Sequence, residues 1–164
     1  MGSDGPDPRL LSIYLNDHVT GATAGASRIN QMAEALAGTP LGPRLADIAA
    51  EISTEREWLI ETTRRLGVRI NRAKLAASWT GERLGRLKLN GRITRRSPLS
   101  ALIELDLMQS AVVGKKSLWR TLQAWSTELG LDPVVLEELV IAADRQRDEL
   151  AALADVARRP ALRG

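Results

Sequence analysis

The chain has 164 residues, 44% hydrophobic and 26% charged, enough for one domain with a packed core. It contains no cysteine and one histidine, His18, which excludes disulfides, thiolate zinc sites, iron–sulfur clusters, cysteine nucleophiles and any site needing two imidazoles from one chain. The formal net charge of +3 hides a segregation: residues 64–96 hold 11 Lys and Arg and one acid, Glu82, for a net +10, and the remainder carries −7.

Four helices are expected, each announced by a capping residue followed by proline. Asp7-Pro8 opens the first, over 8–37, with an apolar rhythm of Leu11, Leu15, His18, Ala22, Gly25, Ile29, Met32 and Leu36. Thr39-Pro40 opens the second, over 41–66, with Leu41, Leu45, Ile48, Ile52, Glu55, Leu59, Thr62 and Leu66 on one face. Ser97-Pro98 opens the third, over 98–129, with a wide apolar face of Leu99, Leu102, Ile103, Leu105, Met108, Val112, Val113 and Trp119. Asp132-Pro133 opens the fourth, over 133–158, with Val135, Leu139, Ala142, Gln146, Leu150 and Leu153. Gly38, Gly67, Gly130 and Pro160 mark the stops. No stretch alternates like a strand.

The connections set the expected topology. The first and second helices, and the third and fourth, are joined by few residues and form antiparallel hairpins. The link between the hairpins, 67–97, is long enough to run the length of a helix of about 39 Å and start the third helix parallel to the second. The fold class expected is all-α: a four-helix bundle of two antiparallel hairpins with one long crossover, a single domain over 1–164 with short flexible termini. The hairpins also read as weak repeats. AAEISTERE (49–57) lies over AADRQRDEL (142–150), and LSIYLND (11–17) over LSALIEL (99–105). No apolar run reaches the roughly 18 residues of a membrane span, and MGSDGPDPRL has no charged-then-apolar leader. A cytoplasmic chain is expected.

Two hairpins, one crossover and acids near mid-helix resemble the ferritin-like superfamily. Members with a di-iron or di-manganese centre use a carboxylate on the first and third helices and Glu-x-x-His on the second and fourth. The resemblance implies candidate positions at Asp17 and His18; at Glu51 or Glu55; at Glu104 or Asp106; and at Asp144 with Arg147. Neither histidine of the pattern is present: Thr54 or Trp58 and Arg147 stand there instead. Arginine has no lone pair to give a metal, but a guanidinium facing carboxylates neutralises them through forked hydrogen bonds. The leading expectation is therefore a polar core cluster of Glu51, Glu55, Asp106, Arg147 and His18, with no metal and no cofactor. The alternative is an iron or manganese site with His18, Glu55 and Asp106 as ligands.

The basic crossover is the second candidate. Arg72, Lys74, Arg83, Arg86, Lys88, Arg92, Arg95 and Arg96 form a patch for an anionic partner, a nucleic acid or an acidic protein; a membrane surface ranks lower. Trp79 is the one aromatic among them, so base stacking has little support. Trp58, Trp119 and Trp125 are expected to anchor helix contacts or a homo-oligomer interface. No phosphate loop, dinucleotide fingerprint or nucleophile elbow is present, and no small-molecule substrate is identified. A non-catalytic binding or assembly module is expected, ahead of a metal-dependent oxidase or a nucleic-acid-associated protein.

Overall fold

A computed structural model of the protein describes residues 5–71 and 97–163. They form no strand and five helices: α1 (Pro8–Ala35), α2 (Gly42–Arg65), α3 (Pro98–Ala124), the single turn α4 (Ser126–Leu129) and α5 (Pro133–Ala161). The all-α expectation holds.

Three of the four proline-marked starts are capped as expected. Asp7 accepts from the Arg9 and Leu10 amides, Ser97 from Ser100, and Asp132 from Val134. The Thr39-Pro40 start is corrected. α2 begins at Gly42, after Leu41, which offers no side-chain cap; the Thr39 hydroxyl donates to the Leu36 carbonyl at 2.7 Å and accepts from the Leu41 amide at 3.3 Å, ahead of the helix. The turn there is so tight that a Cβ on Gly42 would lie 2.6 Å from the Leu36 oxygen and 2.8 Å from the Ala37 Cα, so only glycine fits. The third expected helix is broken at Trp125. The turn that follows closes on Gly130, which is left-handed (φ 62°), with Leu131 N–H bonded to Ser126 C=O at 2.8 Å. The last helix runs past its expected end, to Ala161, with Pro160 in its final turn.

Cross-helix pairs give the directions. Asn30–Ser53, with Asn16–Arg69 just past the end of α2, sets α1 antiparallel to α2, and Lys116–Asp144 with Gln123–Glu137 sets α3 antiparallel to α5. Tyr14–Thr121 and Arg28–Glu104 set α1 antiparallel to α3. Glu55–Lys115 and Trp58–Trp119 ascend together, so α2 and α3 run parallel. α5 meets α2 through Arg145–Glu51 and Arg44–Glu149.

The core is built from Leu15, Val19, Ala26, Ile29 and Met32 of α1; Leu45, Ile48, Ile52 and Leu59 of α2; Leu105, Met108, Val112, Leu118, Trp119 and Leu122 of α3; and Leu136, Val140, Ala143, Leu150 and Ala154 of α5. Two expected stripes are rotated. On α1, Val19 and Ala26 enter the core, while His18, Ala22 and Gly25 face a cavity. On α5, Leu136, Val140 and Ala143 are buried rather than Val135, Leu139 and Ala142. Both sets are apolar there, so periodicity alone could not rank them.

Candidate functional site: a polar layer inside the bundle

Each of three helices places one polar side chain where its core stripe calls for an apolar one. Glu55 lies between Ile52 and Leu59, Lys115 between Val112 and Trp119, and Gln146 between Ala143 and Leu150. Glu55 is 7% exposed and Gln146 0%. Buried polar atoms persist only when paired, and these are paired with one another. The Lys115 ammonium donates to one Glu55 oxygen and to the Gln146 amide oxygen. The Gln146 Nε2 donates to the other Glu55 oxygen at 2.8 Å and to Glu51 at 2.9 Å. The surroundings fix the amide's orientation, because a flip would set its N–H groups against the ammonium and its oxygen against two carboxylates.

The layer continues outward as a chain of ion pairs. Arg145 bridges Glu51 at 2.7 Å and Glu149 at 3.1 Å, and Glu149 also accepts from Arg44 at 2.8 Å. Three carboxylates therefore face three cations. Burial pushes the Lys115 ammonium below its usual range, against the Glu55 charge and hydrogen bond, which hold it up. Burial also raises the Glu51 carboxyl, but hydrogen bonds from Arg145 and Gln146 with the nearby cations outweigh this and hold it below its ordinary value.

Of the eight residues expected to cluster, Glu51 and Glu55 belong to this layer. The others do not. Arg147 is corrected: its side chain is 42% exposed and its fork closes on the adjacent Asp148 at 2.8 and 3.1 Å, with Asp144 at 3.3 Å. The ammonium of Lys115 stands where a guanidinium was expected. Asp144 accepts from Lys116 at 2.6 Å on the bundle's flank. Glu104 is half-buried and takes Arg28 at 3.1 Å. Asp106 is exposed, near Gln109 and 3.9 Å from Arg158. Asp17 is exposed and His18 half-buried, its ring in T-shaped contact with Tyr14 at 4.5 Å. His18, Glu55 and Asp106 thus do not form one ligand set, and among the described residues no three His, Asp or Glu side chains converge to hold a metal ion. Arg72, Lys74, Arg83, Arg86, Lys88, Arg92, Arg95 and Arg96 lie outside the described residues. Sequence reasoning missed Lys115 and did not use Gln146, although each interrupts an apolar stripe.

Beside the layer lies a cavity of about 220 Å³ between α1, α2 and α3. Its mouth is formed by small residues, Gly21, Ala111 and Gly114 among them, and its interior by Ile52, Leu59, Met108, Val112, Leu118 and Trp119. His18, Glu55, Arg56 and Lys115 also line it.

Burial lowers the His18 pKa from 6.5, only partly offset by the Asp17 charge. The native state therefore binds fewer protons than the unfolded chain just below pH 6.5, and stability falls as pH falls through that window to the folded value. We expect a melting-temperature decline that begins below pH 6.5 and is reduced in His18→Asn; an unchanged profile in that variant would remove His18 as its source.

No protein-family model matches this chain, and comparisons with curated proteins and with solved structures found no match. No described helix is long and apolar enough to cross a membrane.

Proposed function

We propose that the chain is a non-catalytic, ferritin-like bundle that serves as a binding or assembly module and holds its core carboxylates together without a metal. Helix directions support the ferritin-like part: two antiparallel hairpins, with α2 parallel to α3 across a long connection. One observation carries the metal-free part. The Lys115 nitrogen sits between Glu55 and Gln146, so the acceptors a cation would need already hold an internal one. A metal at Glu55 would first have to expel that ammonium, leaving a buried cation beside it. Elemental analysis of protein purified without chelator tests this. Less than about 0.1 iron or manganese per chain is expected on the scale where a resident site would read near one; a stoichiometric metal would contradict it.

The basic crossover supplies the partner in this reading. Eleven cations within residues 64–96 suit a polyanion bound through its charge rather than its sequence. Binding to duplex DNA or RNA is expected to weaken steeply with salt and to vanish in the variant R83E/R86E/R95E/R96E. No binding at low salt would leave an acidic protein as the partner class.

A further inference from the structure

We infer that the cavity between α1, α2 and α3 is a binding site for a compact, largely apolar ring molecule carrying one hydrogen-bond acceptor. This goes beyond the metal-free reading and does not depend on it: the residues that line the cavity lie on α1, α2 and α3.

Size comes first. A cavity of about 150 Å³ lined by apolar side chains admits one benzene ring, and this one, at about 220 Å³, is larger and walled mainly by apolar atoms. Three glycines border it. Gly21, Gly25 and Gly114 all line it, and a Cβ added at any of them would meet nothing within 4 Å. None is demanded by close packing, and none has a left-handed backbone. Glycine is also a poor helix former, so alanine at each position would favour the helix and still fit. Gly25, half-buried on α1, is the position among them from which a larger side chain can be placed against the cavity.

Polarity comes from two donors. Trp119 is 1% exposed and part of the wall, and its indole Nε1 has no hydrogen-bond partner among the described residues. Arg56 also lines the cavity, and its Nε is likewise buried and without a partner among those residues, while its Nη2 is held by Glu57 at 2.7 Å. Buried donors are rarely left unpaired, and here two lie on residues bordering one cavity. One acceptor in the cavity would satisfy one of them, and Trp119, the more deeply buried, is the one the test addresses. The Lys115 ammonium, also bordering the cavity, is already engaged by Glu55 and Gln146. The ligand therefore needs to be neither a cation nor a strong acid: a neutral heteroaromatic or ring carbonyl compound fits.

The test uses the full chain and two probes of one shape. Quinoline carries a ring-nitrogen acceptor and naphthalene carries none. Calorimetric titration is expected to show saturable one-to-one binding of quinoline, at least tenfold tighter than naphthalene. Gly25→Leu fills the space from a helix position and is expected to abolish binding while the melting temperature holds or rises, which separates loss of the site from loss of the fold. Trp119→Phe keeps an aromatic wall but removes one donor, and is expected to narrow the difference between the probes. Absence of saturable binding by either probe overturns the proposal, as does quinoline binding that Gly25→Leu leaves intact. Equal affinity for the two probes overturns the acceptor requirement. Any of these results would leave the metal content, and the reading that rests on it, untouched.

Discussion

Lys115→Met is expected to destabilise the protein by about 3–5 kcal/mol, the range for leaving one partner of a buried ion pair uncompensated. The substitution roughly preserves the stem but removes the one cation among the described residues that touches Glu55 directly, leaving that 7%-exposed carboxylate with Gln146 as its remaining partner among them. Gln146 loses its own acceptor contact in the same step. Replacing all three members with apolar residues of similar size, as in E55M/K115M/Q146L, is expected to recover most of the loss, because no charge is then buried alone. Chemical denaturation of the two variants checks both outcomes. A Lys115→Met variant within about 1 kcal/mol of the parent would place the pair among weak surface bridges. A triple variant less stable than the single would mean that the layer contributes more than it costs to bury.

The second large effect belongs to Trp119. It is among the largest fully buried side chains and packs T-shaped on Trp58 at 5.5 Å, where α2 and α3 meet. Trp119→Ala is expected to cost about 3–5 kcal/mol, from lost burial plus the void it leaves. Trp119→Phe is expected to cost much less, since it keeps most of the ring contact and removes an N–H with no partner among the described residues. Thermal melts compare the two; equal losses would mean that the indole nitrogen makes an interaction of its own.

The helices were legible because their punctuation is chemical. Asp7, Ser97 and Asp132 each combine a side-chain acceptor with a following proline, and all three cap as read. Thr39 offers the same letters, but its hydroxyl bonds Leu36 and the Leu41 amide within the turn, and α2 starts only at Gly42, where the chain folds too closely for a Cβ. The site was half legible. Glu55 stood out as an acid on an apolar stripe, and the identical signal was present at Lys115, which falls between Val112 and Trp119 at core spacing. The ferritin-like metal-ligand spacing points instead to the last helix, at Arg147, and gives Lys115 no role. A helix turns about 100° per residue, and that turn separates Gln146, fully buried, from Arg147, which reaches back to Asp148 at the surface. The cavity was not legible at all. His18, Ala22 and Gly25 fit a core stripe by period, and nothing in one sequence says that the neighbouring helix stands away from them.

A double-mutant cycle between Glu55 and Lys115 tests the central claim most directly, namely that the ammonium of one helix holds the carboxylate of another inside the bundle. Glu55→Gln, Lys115→Met and the double variant are compared by denaturant unfolding. The expected coupling energy is about 1.5–3 kcal/mol, as for charged neighbours withdrawn from water. A coupling indistinguishable from zero, with both single variants near the parent, would contradict the account.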